Sequence, residues 1–227
     1  MGKIHTDREY ENDLKKLRER LLKMAGRIEE MISDSVRALV ERDVELARRT
    51  IDADHLVNRA EVETDELCLV ILARRQPVAS DLRFVTLALK MVTDLERIGD
   101  LAVNIAERAV ALSGLRPAPF AAVLSRLAEL DQNQLREAIE SFVTRDAARA
   151  EKVCAQDDQI DKLYWQLAQE AQKDMAHNDA SLERGIHVQA AAKFLERIGD
   201  HVTNLAELVI FLVRGKDIRH LGKLDDS

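Results

Sequence analysis

The residues best suited to chemistry in this chain are carboxylates set one helical turn apart. Glu96, Asp100, Asn104 and Glu107 follow at spacings of four, four and three, and Glu196, Asp200, Asn204 and Glu207 repeat the series 100 positions later. On a helix that spacing keeps all four side chains in one line. Asp54/Asn58 and Asp157/Asp161 form a second, shorter pair of lines with the same spacing of four. Residues one turn apart have Cβ atoms about 5–6 Å apart, and hard cations hold oxygen at about 2.0–2.6 Å. One ion can therefore bridge such a pair, and two helices offering pairs can hold a small cluster. An all-oxygen donor set suits magnesium, manganese, calcium or ferric iron, and zinc less naturally without cysteine or histidine. The plain alternative is a solvated acidic helix face. Duplication in register weighs against it, because like charges at i, i+4 destabilise a helix by a few tenths of a kcal/mol and yet recur.

The element that must carry these acids is a thirteen-residue stretch present twice, Leu95–Glu107 and Leu195–Glu207, with nine of thirteen residues identical. Repetition of this kind implies two similar halves. Leu95, Ile98, Ala102, Ile105 and Ala109 follow a 3-4-3-4 spacing, as do Leu195, Ile198, Val202, Leu205 and Val209. That is the apolar seam of a packed helix, and it sets the acid line on nearly the opposite face. Gly99 and Gly199 sit mid-helix, where glycine costs about 1 kcal/mol relative to alanine. A glycine there admits the close approach of another backbone, so a neighbouring helix can bring its own ligands beside the carboxylates.

The same reasoning extends along the chain. Leu14, Leu17, Leu21, Met24, Ile28, Met31 and Ser35 continue a seam in a first helix over about 6–42. Asp43 reads as the N-cap of a second helix ending near Arg75, and Pro77 as the first turn of a third over about 78–113. Gly114-Leu115-Arg116-Pro117-Ala118-Pro119 is a helix stop followed by a stiff linker. A fourth helix is expected over about 120–144, a fifth from the Asp146 cap to the turn-forming His177-Asn178-Asp179, and a sixth over about 181–214, with a frayed end after it. Arg42-Asp43 matches Arg145-Asp146 at an offset of 103. The fold class is all-α: two tandem pseudo-symmetric three-helix bundles, residues 1–113 and 118–227, of six long antiparallel helices.

Composition agrees and excludes other classes. The 227 residues are 46% hydrophobic, with 8 Gly, 3 Pro and 4% aromatics, a long-helix composition poor in turns and strand formers. A net charge of -7 argues against nonspecific nucleic-acid binding. No run approaches the roughly 20 apolar residues of a membrane span, and the charged first 20 residues read as no signal peptide. Cys68 and Cys154 do not match across the repeat and suit a reducing compartment. The expectation is a cytoplasmic protein that meets membranes only peripherally. Enzymatic readings fare poorly. A carboxylate-bridged di-iron bundle needs Glu-x-x-His pairs; His177 has only Asp174 and His220 only Asp217 at that spacing. A glycosidase cleft would lack aromatic lining. His201 stands where the first copy has Leu101 and reads as surface. Phosphate-loop, metalloprotease-helix and nucleophile-elbow motifs are missing from the sequence. A metal-storage protein or carboxylate-metal helical enzyme remains the alternative to a regulatory binding protein, with a purely structural bundle third.

Arg75-Gln76-Pro77-Val78-Ala79-Ser80-Asp81-Leu82-Arg83, then Asp94-Leu95-Glu96-Arg97-Ile98-Gly99-Asp100, resembles the PhoU family of phosphate-signalling regulators. Phe194-Leu195-Glu196-Arg197-Ile198-Gly199-Asp200-His201 resembles the matching motif of that family's second half. The resemblance spans essentially the whole chain. It implies two pseudo-symmetric three-helix bundles and multinuclear metal binding, by iron or zinc in some members, at surface Glu/Asp-xxx-Asp motifs. On that pattern Glu96, Asp100, Glu196 and Asp200 are the metal ligands. The resemblance further implies a cytoplasmic homodimer that acts as a negative regulator of the phosphate-starvation response and of phosphate uptake. Its implied partners are the ATPase subunit of a phosphate ABC transporter and a sensor histidine kinase. Asn58 stands where the second half has Asp161, a departure expected to make the first site weaker or smaller.

Overall fold

Helix boundaries fall where short polar side chains and left-handed backbone turns place them. The computed structural model describes residues 3–115, 120–176 and 179–215. It contains α1 Lys3–Glu41, α2 Val44–Arg75, α3 Ala79–Ala111, α4 Ala121–Thr144, α5 Ala147–Cys154, α6 Asp157–Met175 and α7 Asp179–Arg214, and no strand among the described residues. Asp43 caps α2 by accepting from the Leu46 amide at 2.9 Å, and Asp146 caps α5 by accepting from the Arg149 amide at 3.0 Å. The preceding turns also match. Arg42 (φ 62°) and Arg145 (φ 53°) are left-handed, and the next amide returns to the carbonyl five residues back, Asp43 to Ala38 at 3.1 Å and Asp146 to Ser141 at 2.9 Å. This is the C-terminal turn usually given to glycine.

Two expectations need correction. Pro77 lies before α3 rather than in its first turn, because Val78 is extended (φ -123°, ψ 157°) and serves as the cap residue. The fifth helix is two pieces: at Ala155–Gln156 the chain tightens, Gln156 N–H donating to Val153 O and Gln159 N–H to Gln156 O, each at 3.0 Å. The tightening gives α6 its own start, with Asp157 and Asp158 in the first turn. A helix N-terminus favours carboxylates by roughly 0.3–1 kcal/mol. The Pro117/Pro119 linker, the His177–Asn178 turn and the segment from Lys216 onward, with His220, lie outside the described residues.

The expected seams are buried: Leu17, Leu21, Met24, Ile28, Met31 and Ser35 in α1, and every seam residue from Leu95 to Ala109 and from Leu195 to Val209. Arg75 meets Glu9 and Asp13, Arg20 reaches the Glu63 carbonyl, and Arg27 reaches the Leu56 carbonyl, so α1 and α2 run antiparallel. α1 packs on α2, α3 and α4, while α7 packs on α3, α4, α5 and α6. Four helices, α1, α3, α4 and α7, therefore meet at the centre, with α2 on one flank and α5/α6 on the other. One apolar core runs through both repeats. Phe84 of α3 stacks on Phe142 of α4 with ring centroids 5.5 Å apart.

Each repeated glycine sits against the flanking helix of its own repeat. A Cβ at Gly99 would lie 3.2 Å from Val57 Cγ1, and one at Gly199 would lie 2.9 Å from Ile160 Cδ1. Val57 and Ile160 correspond at the offset of 103. The close approach is thus made by branched side chains, where a backbone was expected. Overpacking a core costs about 1–3 kcal/mol, which exceeds the helix-propensity gain of about 1 kcal/mol, so Gly199→Ala destabilises. Gly26 is exposed on α1 with nothing within 4 Å of its would-be Cβ, so Gly26→Ala stabilises by about 0.5–1 kcal/mol. Urea unfolding of the two variants checks this, and equal gains at both positions would contradict the packing at Gly199.

Candidate functional site

Because Gly99 admits Val57, the residues flanking Val57 on α2 come up beside Glu96 and Asp100 on α3. Glu96 is not on an open face: its side chain is 15% exposed, against 40% for Asp100. Arg97 touches both carboxylates, at 3.5 and 3.4 Å. On α2, Asn58 Nδ2 donates to Asp54 Oδ2 at 2.8 Å, while Asp54 Oδ1 is buried without a partner. Burial lifts the Asp54 carboxyl above its ordinary range and the charge of Asp100 lifts it further, against the Asn58 hydrogen bond. Glu96 is raised by burial, then by Asp100 and Glu61. Glu61 is raised by burial, Asp65 and Asp100, against the pull of Arg97. Glu61 therefore belongs to this group, which sequence reasoning missed. The signal was present, since Asp54, Asn58, Glu61 and Asp65 run at spacings of four, three and four on one face.

The second repeat is built alike with different parts. Glu196 is 14% exposed and paired to Lys193 at 2.5 Å. Asp157, in the first turn of α6, accepts from Thr203 Oγ1 of α7 at 3.3 Å. Burial raises Asp157, and Asp200 and Asp161 raise it further. Asp200 is raised by burial, then by Glu196 and Asp161, with Lys193 opposing. Asp54/Asn58 with Glu96/Asp100, and Asp157/Asp161 with Glu196/Asp200, are thus two groups, each on two neighbouring helices.

Sequence reasoning also missed Asp131 of α4. It is fully buried, neither oxygen has a partner, and Oδ1 lies 3.5 Å from the place a Gly199 Cβ would take. Burial holds its carboxyl well above 3.8, with Asp157 and then Glu196 adding to the shift. Leaving such a group unsatisfied costs about 1–3 kcal/mol. The readable signal was an acid in the α4 seam, between Leu127 and Leu135.

The ends of the acid lines go elsewhere. Asn104 donates to its own helix at the Asp100 carbonyl, 2.9 Å, and Glu107 is exposed beside Arg108. Asn204 and Glu207 line an open cleft of about 450 Å³ with Leu89, Lys90, Thr93 and Asp94 of α3. His201, expected at the surface, bonds through Nδ1 to Asp94 Oδ1 at 2.9 Å, because α7 packs on α3 there. Both cysteine thiols are unpaired, and burial raises Cys68 to about 12 and Cys154 to about 11.

The donors fit a hard cation in chemistry: all are oxygen, several are half-buried, and Asp54, Asp65, Asp131 and Glu196 each keep a buried oxygen without a hydrogen-bond partner. Their positions are spread. Among the described residues no three Asp, Glu, His or Cys side chains form a preformed metal-holding group.

A duplicated all-helical bundle with half-buried acids between paired helices defines the class, a two-repeat helical-bundle protein. The PhoU domain matches this chain twice, at residues 21–109 and 124–209, and the chain belongs to that family. It is 41% identical over 219 residues to the phosphate-specific transport system accessory protein PhoU homolog of Pseudomonas putida, covering 96% of this chain and 86% of that protein. The accessory protein PhoU of Escherichia coli (strain K12) is 31% identical over 218 residues, covering 96% and 90%. The crystal structure of PhoU from Pseudomonas aeruginosa superposes with a TM-score of 0.87 at 38% identity, over 91% of this chain and 100% of that one. The phosphate transport system regulatory protein PhoU from Streptococcus pneumoniae gives 0.86 at 28% identity, over 92% and 99%. Among the described residues no helix is long and apolar enough to cross a membrane.

Asp54, Glu61, Asp65, Glu96, Asp131, Asp157 and Asp200 are all raised above their ordinary values of 3.8 or 4.5. For an acid raised on folding, the native state binds protons more tightly than the unfolded one. Its stabilising contribution is then full below the unfolded pKa and is lost as pH rises through the folded pKa. His187, held below 6.5 by burial and Arg108, and Glu137, held below 4.5 by Arg149, act in the opposite sense. The carboxyls outnumber them, so in chelator the melting temperature rises as pH falls from about 8 toward about 5. Calorimetry across that range checks the sign, and a profile that falls throughout would show that these carboxyls are not raised.

Proposed function

We propose that this protein is a cytoplasmic negative regulator of phosphate uptake and of the phosphate-starvation response, acting by contact rather than turnover. Its two repeats, residues 1–113 and 118–227, each carry a metal centre. The partners are the ATPase subunit of a phosphate ABC transporter and a phosphate-sensing histidine kinase, engaged by a homodimer, with membranes reached only through those proteins. The observation that carries this reading is the meeting of two carboxylate lines from neighbouring helices in both halves of a chain whose relatives are named accessory proteins of phosphate transport. The metals suited to the donors are iron, manganese, magnesium or zinc. Glu96, Asp100 and Asp54 with Asn58 hold the first centre; Glu196, Asp200, Asp157 and Asp161 hold the second. Bound metal neutralises like charges that Arg97 and Lys193 offset only in part, and it ties the flanking helix to the inner one. Asn104, Glu107, Asn204 and Glu207 extend the same faces toward a partner.

Metal that binds only the folded protein raises stability by about 2.7 kcal/mol at 100 times its dissociation constant. The wild-type melting temperature therefore rises with added iron, manganese, zinc or magnesium after chelation. Glu196→Ala with Asp200→Ala removes about half of the bound metal and leaves the first centre loaded. Elemental analysis and calorimetric melting read both effects, and equal shifts in wild type and variant for every metal would make these acids ordinary surface. Co-purification with the transporter ATPase persists after lipid removal, whereas binding to anionic vesicles without affinity for either protein partner would contradict the partner assignment.

A further inference from the structure

The chain carries a net charge of -7, yet one groove on it is basic. Where α1 and α2 run antiparallel in the first repeat they border a cleft of about 300 Å³. Arg20, Lys23 and Arg27 line it from α1 and Arg59 from α2, against one carboxylate, Glu63. Positions 20, 23 and 27 share a helix face, where like charges are unfavourable. The two end arginines are held in place. Arg20 donates to the Glu63 carbonyl, and Arg27 donates to the Leu56 carbonyl at 3.2 Å, so α2 fixes one guanidinium at either end. A guanidinium has more N–H donors than these bonds use. Between the two arginines, Lys23 and Arg59 make no ion pair among the described residues. Met24 and Ala60 give the same cleft an apolar stretch.

Packing does not ask for this charge. At the offset of 103 the second repeat has Val123, Arg126, Leu130 and Lys162 in place of Arg20, Lys23, Arg27 and Arg59. Two of the four cations are gone, and Arg126 is tied to Glu129 at 3.0 Å. The counterpart of Glu129 is Gly26, so Lys23 lacks that acid.

We propose that the α1/α2 cleft binds a small phosphorylated molecule with an apolar body, of the nucleoside diphosphate class, and that the first repeat alone carries this site. Guanidinium groups pair with phosphate through two parallel N–H bonds, and four cations suit a ligand with more than one negative charge. The volume lies at the lower end of small-ligand pockets, about 300–1,000 Å³. It exceeds what a bare phosphate fills, which leaves Met24 and Ala60 to take the apolar part. A concave cleft favours a small molecule over a membrane, which meets a flat face. The site uses none of the acid lines, so it stands apart from the metal reading.

Isothermal titration and calorimetric melting of the full-length protein, freed of metal and then of chelator, test the site. The probes are adenosine diphosphate, inorganic phosphate and sulfate at one ionic strength. Adenosine diphosphate is expected to bind once per chain, to raise the melting temperature, and to bind at least about tenfold more tightly than sulfate. Inorganic phosphate binds more weakly than adenosine diphosphate. Lys23→Gln with Arg59→Gln changes two exposed side chains and weakens adenosine diphosphate at least about tenfold. Arg126→Gln with Lys162→Gln, the matching change in the second repeat, leaves the affinity as it was. Adenosine diphosphate that binds no tighter than sulfate, or equally to wild type and the Lys23/Arg59 variant, would overturn the site. Phosphate binding as tightly as adenosine diphosphate would overturn the apolar half of the ligand. Phosphatidylglycerol vesicles held through Lys23 and Arg59, with no uptake of adenosine diphosphate, would overturn it in favour of a lipid surface.

Discussion

Gly99 against Val57, and Gly199 against Ile160, set how near the flanking helix of each repeat lies to the helix with the acids. The contact works against electrostatics. Two like charges 4 Å apart repel by about 1 kcal/mol in water and about 4 kcal/mol at an effective dielectric of 20, and the half-buried carboxyls sit between those limits. Opposing this, each fully buried Val, Leu, Ile or Met contributes about 1.5–3 kcal/mol, and α3 alone buries Val85, Leu87, Met91, Val92, Leu95, Ile98 and Ile105 almost completely. Packing wins, and the acids are carried into proximity they would not choose. Their raised proton affinities are the consequence.

The seam determines more than the core. Because Val57 must meet Gly99, Asp54 and Glu61, about one turn to either side, are delivered to Glu96 and Asp100; because Ile160 must meet Gly199, Asp157 and Asp161 are delivered to Glu196 and Asp200. These acid groups need no loop and no dedicated motif beyond helical period and one small residue. The same logic explains why Asn204 and Glu207 drift from Glu196. A straight line of side chains spaced by four and three is shared between two neighbours once helices cross, and its far end faces α3.

The order of the helices, their seams, the Asp caps and the pairing of acid lines were legible in the sequence because each depends on local spacing. Three features were not. The break at Ala155–Gln156 contains neither Gly nor Pro, so no breaker announces it. His201 looked like surface because its counterpart is Leu101; only the packing of α7 on α3 brings Asp94 to its ring. Asp131 was visible as an odd residue in a seam, but its neighbours come from α6 and α7, and contacts between helices far apart in sequence cannot be read from periodicity. Glu61 differs: it follows Asn58 at a spacing of three on the same helix face, so local periodicity alone places it with the acids.

The two repeats share a plan and differ in their chemistry. The first has Asn58, Glu61 and Ile28 where the second has Asp161, Tyr164 and Asp131. In the first repeat the acids lie on the flanking and inner helices alone, half-neutralised by Arg97. In the second, an acid is buried in the centre of the bundle on α4, and α4 packs against α1 as well as α7. Arg136 of α4 reaches Glu29 of α1, and Phe142 of α4 stacks on Phe84 of α3. A buried carboxyl without a hydrogen-bond partner costs about 1–3 kcal/mol, so the second repeat carries a strain that the first, with Ile28 at that position, does not. That cost falls on a helix that joins the halves, while the acids of the first repeat act within its own pair of helices.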